Sequence, residues 1–283
     1  MSESAPSILI TGANGFIGSR LCRMFVERGF QVMAGVRRTA NLKLLEGLSV
    51  EYCYGDVTQP ETLPPMVTGV DYIIHNAGLV KAPDTETFFR VNETGTRNLF
   101  EAVAKHNPGV RKVVYVSSVA VAGPSLDGQP VKETDPPNPV TTYGRSKAAG
   151  EKVALSFADR LPVVAVRPPA VYGPGDKELF TMFQVVHRHL KPLIGDSSRQ
   201  LQLVYVDDLC DGIFLATTKP TPNPAVYFIA EKEAYSMKQL TDILHRASGR
   251  AAVPLPIPAS LFKAIALVSS TAMRTAGLTP MLT

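Results

Sequence analysis

Short aliphatic runs alternate with longer segments whose apolar positions recur every three or four residues. Ser7-Ile8-Leu9-Ile10 reads as a buried strand, and Phe16 to Arg28 follows with Ile17, Leu21, Met24 and Phe25 at helical spacing. Gly29 ends that helix. The same pattern predicts strands at Gln31 to Val36, Val50 to Tyr54, Tyr72 to His75, Lys112 to Val116 and Val163 to Val166, with helices near Phe88 to Lys105 and Tyr143 to Arg160. Strand and helix in alternation predict an α/β fold, a doubly wound parallel sheet covered on both faces.

After Arg167 the rhythm changes. Pro168-Pro169 and Gly173-Pro174-Gly175 interrupt regular structure, and a helical run extends from Glu178 to Leu190. Leu201 to Val206 then reads as a return to the sheet, and prolines cluster at Pro220 to Pro224 and Pro254 to Pro258 as loops. This organisation predicts a sheet domain over 1–167 and 201–230, and a smaller, mostly C-terminal lobe over 168–200 and 231–283. No internal repeat or low-complexity tract is present.

The composition adds bounds. The 283 residues are 45% hydrophobic and 19% charged, enough for one large domain or two small ones. A net charge of +4 is not gathered into a basic block, so nucleic acid is not an expected partner, whereas an anionic cofactor or substrate is. Cys22, Cys53 and Cys210 have no paired spacing, which points to a reducing cytoplasm and away from a disulfide framework or thiolate metal site. Met1 to Ser7 lacks a signal pattern. Leu261 to Ala272, broken by Lys263, Ser269, Ser270 and Thr271, falls short of the roughly 20 residues a membrane span needs. Peripheral contact of that segment with a membrane surface stays open.

Between the first strand and first helix lies Thr11-Gly12-Ala13-Asn14-Gly15-Phe16-Ile17-Gly18, a G-x-x-G-x-x-G spacing one residue longer at the front than the usual dinucleotide fingerprint. Gly12 would permit the tight turn, Gly15 a close approach to a pyrophosphate, and Gly18 close packing of helix on strand. The second strand ends in Val36-Arg37-Arg38, where an acid would read a free ribose and guanidinium groups suit a 2′-phosphate. NADP is therefore favoured over NAD. Asp56, with Val57 beside it, follows the third strand and is placed to meet the adenine. Tyr143 and Lys147 are four apart and share a helix face, so an ammonium can lie under a phenol. His187 and His189 are two apart, point to different helix faces and cannot chelate one ion, and no metal is predicted.

These motifs, with Gly55-Asp56-Val57, His75-Asn76-Ala77-Gly78, Val91-Asn92-Glu93-Thr94-Gly95-Thr96, Val116-Ser117-Ser118, Arg167-Pro168-Pro169-Ala170-Val171-Tyr172-Gly173-Pro174-Gly175 and Val204-Tyr205-Val206-Asp207-Asp208, occur in one order along nearly the whole chain. Together they resemble the extended short-chain dehydrogenases/reductases, the epimerase/dehydratase-like branch with its Rossmann-type fold.

The resemblance implies roles, with the sheet domain as the dinucleotide-binding domain and the smaller lobe as the substrate-binding lobe. Tyr143 would exchange a proton with substrate oxygen as hydride moves to or from nicotinamide. Lys147 would hold the nicotinamide ribose and lower the tyrosine pKa, and Ser118 would orient the substrate oxygen, with Ser117 as a one-residue-shifted alternative. Gly12, Asn14, Gly15, Phe16, Ile17, Gly18, Arg37, Arg38, Asp56, Val57, Asn76, Ala77, Gly78, Asn92, Ser117, Pro168, Ala170 and Val171 would border the cofactor. Asn92 has an equally good reading as a tie between helix and strand. Val80, Lys81, Phe180 and Arg199 would meet substrate, and either Asp207 or Asp208 would cap the helix that follows.

Relatives acting on nucleotide-sugars commonly have asparagine where this chain has Ala170, so the expected activity is reduction of a ketone or oxidation of an alcohol, as in ketone reductases or hydroxysteroid-dehydrogenase-like members. A nucleotide-sugar epimerase or dehydratase is the alternative within enzymes, and a non-catalytic NADP sensor the alternative outside them. Extended members usually continue some tens of residues past Pro254 to Pro258, so the substrate lobe is expected to be shortened or reduced. A homodimer through the helices at Phe88 to Lys105 and Tyr143 to Arg160 is also implied.

Overall fold

The first strand forms β1 (Ser7–Thr11) and the first helix α1 (Phe16–Glu27) in a computed structural model that describes residues 5–194, 196, 200–249, 253–257 and 260. In chain order follow β2 (Gln31–Val36), β3 (Glu51–Tyr54), α2 (Pro64–Val67), β4 (Tyr72–His75), α3 (Thr85–Phe89), α4 (Gly95–His106), β5 (Lys112–Val116) and α5 (Thr142–Leu155). Next come β6 (Val163–Arg167), β7 (Ala170–Tyr172), α6 (Glu178–His187), β8 (Leu190–Ile194), β9 (Gln200–Tyr205), α7 (Val206–Thr218), β10 (Ala225–Phe228), β11 (Ala234–Ser236), α8 (Met237–Ser248) and β12 (Val253–Ile257). The chain divides into two compact units, one of Met1–Val80, Asp84–Pro169 and Val206–Ile229, the other of Lys81–Pro83, Ala170–Tyr205 and Ala230–Thr283.

The first unit holds a parallel seven-stranded sheet in the order β10-β6-β5-β4-β1-β2-β3. The chain winds outward from β1 through β2 to β3, then returns to β4 on the other side of β1. That reversal opens a crevice outside the carboxyl ends of β1 and β4, where doubly wound sheets bind their ligands. β4, β5 and β6 are buried at every residue, which is why they read as unbroken apolar runs rather than alternating ones. Leu9, Ile73, Val113 and Val163 from the strands pack with Leu99, Phe100, Val103, Val153 and Phe157 on one face.

Two features depart from the sequence pattern. The predicted Phe88 to Lys105 helix is α3 and α4 joined by a π-helical turn, Arg90–Thr94. The segment expected to rejoin the main sheet does not: β9 pairs with β7 and β11 in a three-stranded sheet of the second unit, and the seventh strand of the main sheet is β10, paired with β6. β10 is only four residues long and follows the proline cluster, so a loop signal masks it.

In the second unit, α6 stops at His187 and His189 takes a left-handed φ of 68°. The Pro254 region, expected to be loop, is β12, in parallel register with β8. Val253 N–H donates to His189 O, so alternate residues of β12 face β8 and the nitrogens of Pro254 and Pro256 face away. The same register turns the nitrogen of Pro192 in β8 away from β12. Proline is tolerated in strands where its missing donor faces an open edge. No described helix is long and apolar enough to cross a membrane, and Leu261 to Ala272 lies outside the described residues.

Candidate active site

A cavity of about 590 Å³ opens at the crevice of the first unit, lined among others by Gly12, Asn14, Gly15, Arg37, Asp56, Val57, Asn76, Ala77 and Gly78. Gly12 has φ +65°, and a Cβ there would lie 2.9 Å from Ala77 Cα. A Cβ on Gly18 would lie 2.2 Å from Gly12 O, so helix and turn touch only because that side chain is absent. Gly15 caps α1 without any side-chain hydrogen bond, and no acid stands in the first turn. The first N–H groups of α1 lack acceptors within the helix and begin beside Gly15 on the cavity wall, where a helix N-terminus favours an anion. The glycine stretch of the wall, this helix end and the Arg37 guanidinium after β2 fit a dinucleotide.

The carboxyl end of β5 leads into Ser117 and Ser118. The Ser118 hydroxyl accepts Ala120 N–H at 3.2 Å and lies close enough to Tyr143, at the start of α5, to act on its phenol. The Tyr143 ring packs against Phe88, 6.3 Å between centroids. Burial pushes the phenol pKa above its usual value while the Ser118 hydroxyl draws it down. One turn along α5, Lys147 Nζ donates to Val116 O at 2.8 Å and sits 4.3 Å over the Tyr115 ring. Burial lowers the Lys147 amine to about 7, against the pull of Glu151, which raises it. A Cβ on Gly78, in the cavity wall, would come within 3.7 Å of that amine, so Lys147 borders the same wall.

The profile of the NAD-dependent epimerase/dehydratase family matches residues 8–230. The chain belongs to that family. It is thereby an NAD(P)-dependent oxidoreductase of the extended short-chain dehydrogenase/reductase type. A 2-alkyl-3-oxoalkanoate reductase of Stenotrophomonas maltophilia is 33% identical over 257 residues, 86% of this chain and 76% of its own length. A ceramide reductase of Caulobacter vibrioides is 37% identical over 202 residues, 71% of this chain and 57% of its own length. Among solved structures, a dTDP-glucose 4,6-dehydratase from Streptomyces venezuelae with NAD bound has a TM-score of 0.79 at 26% identity, covering 89% of this chain and 84% of that one.

In this family member, buried hydrogen bonds hold the site's loops. Ala77 N–H donates to Thr11 Oγ1, which is 3.0 Å from His75 Nδ1, and His75 Nε2 is 3.1 Å from Thr96 Oγ1, which itself donates to Asn92 O. With Thr96 donating onward, every group in this chain is satisfied by one neutral tautomer, protonated on Nε2. Burial accordingly lowers His75 to about 3, with Lys147 adding to the effect. Asn92 uses both ends of its amide: it accepts Leu79 N–H at 2.8 Å and donates to Leu79 O and Ser146 Oγ. Ser146 in turn donates to Tyr143 O. These bonds make Asn92 the tie between the β4 loop and α5 rather than a free cofactor contact.

Other expected residues fall differently. Ser117 turns inward and donates to Glu151 Oε2 at 2.6 Å, which leaves Ser118 as the serine that meets Tyr143. Arg38 lies over the Tyr54 ring at 5.5 Å, whereas Arg37 lines the cavity. Asp56 Oδ1 accepts from Thr58 N and Oγ1, which shapes the turn after β3. Phe16 and Ile17 open α1, and Pro168 O accepts Val119 N–H at 2.9 Å. Ala170 and Val171 belong to β7 of the second unit, and that unit also holds Lys81, paired with Glu178 at 2.5 Å, and Phe180 of α6, stacked on Phe183. Arg199 lies outside the described residues. Asp207 forks onto Arg20 at 2.9 and 2.7 Å and so ties α7 to α1. Thr11, Ser146, Glu151 and Arg167 were missed as site residues. Glu151 had a signal, since Tyr143, Lys147 and Glu151 are spaced four apart on one face.

Proposed function

We propose that the chain reduces the ketone of an apolar, alkyl-bearing substrate with NADPH, and that the first unit holds the cofactor and the second forms the substrate lobe. The observation that carries this reading is Tyr143 and the buried Lys147 amine one turn apart on α5, with the Ser118 hydroxyl near the phenol and the amine beside the cavity wall at Gly78. Tyr143 would pass its proton to the substrate oxygen while Ser118 steadies that oxygen, and Lys147 would hold the ribose hydroxyls. The nicotinamide, when bound, supplies the hydride.

An apolar substrate is supported by two exposed side chains of the first unit, Val80 beside the cavity-lining Leu79 and Val140 three residues before Tyr143, at 64% and 62% exposure. Two relatives are named for substrates with alkyl chains. The absence of an acid after Val36, with Arg37 on the cavity wall, supports NADP. A reducing cytoplasm suits Cys22 and Cys210, whose buried thiols are pushed up to about 12. A homodimer through α4 and α5 belongs to the same reading. Its surface would be built on the exposed Arg97, Glu101, Lys105, Arg145 and Lys152, making it sensitive to salt.

The test is steady NADPH consumption on a panel of 3-oxoacyl, long-chain, steroid and sugar-nucleotide ketones, with Tyr143→Phe beside the wild type. Turnover on an alkyl ketone should fall by about 10²–10⁴-fold in the variant, with NADPH binding retained. Conversion of a sugar nucleotide without net NADPH loss would instead favour the epimerase/dehydratase reading.

A further inference from the structure

Beneath the Tyr143 and Lys147 face, three segments of the first unit meet in a buried ionic network that the reaction does not touch. Glu151 lies one turn past Lys147 on α5. Its Oε1 accepts Arg167 Nη2 at 2.6 Å, and its Oε2 accepts Arg167 Nε at 3.0 Å and Ser117 Oγ at 2.6 Å. Both ionic side chains are almost inaccessible, 3% exposed for Glu151 and 4% for Arg167. Ser117 immediately precedes Ser118, and Arg167 ends β6 just before Pro168. A buried ion pair replaced by apolar side chains often loses no stability, so stability alone is a weak reason for this one.

Its neighbours suggest another reason. The titratable groups around Lys147 are Tyr143 and Glu151 on its own helix, Tyr115 on β5 and His75 on β4, with Arg167 on β6 held by Glu151. His75 is neutral, and both phenols are held protonated by burial. Glu151 is the one carboxylate among these groups, and Arg167 holds it by two contacts.

We propose that Glu151 is a positioning residue that favours the charged form of the buried Lys147 amine and, through Ser117, fixes the segment that presents Ser118. Arg167 holds the carboxylate in place by its two-pronged contact. This rests on Tyr143 and Lys147 being the working pair, and it goes further by assigning their electrostatic state to a residue that touches neither substrate nor cofactor. Burial pulls the amine down to about 7 even with the carboxylate present, so loss of that charge would leave the amine mostly neutral in the same range.

Two measurements on the full chain test this. The Lys147 side-chain carbon signal, assigned by its loss in Lys147→Met, is titrated by NMR in wild type, Glu151→Gln and Glu151→Asp. The midpoint should drop by about one pH unit or more in Glu151→Gln, and Glu151→Asp, which retains charge, should recover most of the shift. A midpoint equal in all three proteins overturns the proposal. In parallel, the alkaline limb of kcat/KM for NADPH-dependent reduction should move down by a similar interval in Glu151→Gln. A uniform loss at every pH would indicate a merely structural residue. If Glu151→Gln does not fold, Ser117→Ala keeps the ion pair. Its Lys147 midpoint should hold while kcat falls about tenfold through the loosened Ser118, and an unchanged kcat overturns the Ser117 arm. A shifted midpoint in a protein that reduces no ketone would sustain the electrostatics and remove the functional reading.

Discussion

At the level of single residues, the site separates pairs that the sequence left equivalent. Ser117 and Ser118 are adjacent hydroxyls, yet alternation along an extended segment sends one inward to Glu151 and the other to Tyr143. Arg37 and Arg38 divide in the same way, one on the cavity wall and one over an aromatic ring. Arg37→Ala should therefore weaken NADP binding by about tenfold or more, the scale of a lost hydrogen bond to a charged group, and leave NAD within about twofold. Arg38→Ala should have the smaller effect. Fluorescence titration with both cofactors checks this, and equal losses in the two variants would remove the distinction. Motif residues were legible because the chemistry restricts which side chains can stand there. Partners such as Thr11 and Ser146 were not, because their roles come from contacts across the fold.

Among the elements, six of the seven strands of the main sheet were legible almost to the residue, most plainly β4, β5 and β6, since a fully buried parallel strand has to be apolar nearly throughout, while β10 was hidden by the prolines before it. The π-turn at Arg90–Thr94 was invisible in a periodicity that continues through it. It matters because it presents Asn92 to Leu79 and Ser146, and because α5 packs directly on it. A Cβ on Gly150 would lie 2.1 Å from Asn92 O and 2.6 Å from the Tyr115 hydroxyl. Gly150→Ala should force the helix off the turn, cost about 1–3 kcal/mol, and lower kcat as Asn92 loosens. Chemical denaturation and steady-state kinetics are the measurements. Stability equal to wild type would mean that α5 can yield without consequence. β9 and β12 show the opposite limit, where proline-rich flanks or a correct strand assignment do not reveal the partner strand.

For the whole molecule, the neutral, fully buried His75 gives stability a direction with pH. Folded, its ring takes a proton only near 3; unfolded, it does so near 6.5. The unfolded state thus binds more protons between these values, and stability falls as pH drops through that window by about 1.4 kcal/mol per unit from this group. Urea denaturation between pH 7 and 4 should show a steeper acid loss in wild type than in His75→Gln, the difference approaching that slope. Parallel lines would assign the acid sensitivity elsewhere.

The ladder of β8 and β12 has its own bearing on behaviour at high concentration. A strand margin normally invites another chain by offering a row of amide hydrogens, the first step toward templated assembly. Pro192 blunts one margin of this ribbon, and Pro254 and Pro256 blunt the other, while the shared seam keeps its bonds. The ribbon is thus self-limiting: it can close upon itself but makes a poor seed for recruiting a neighbour.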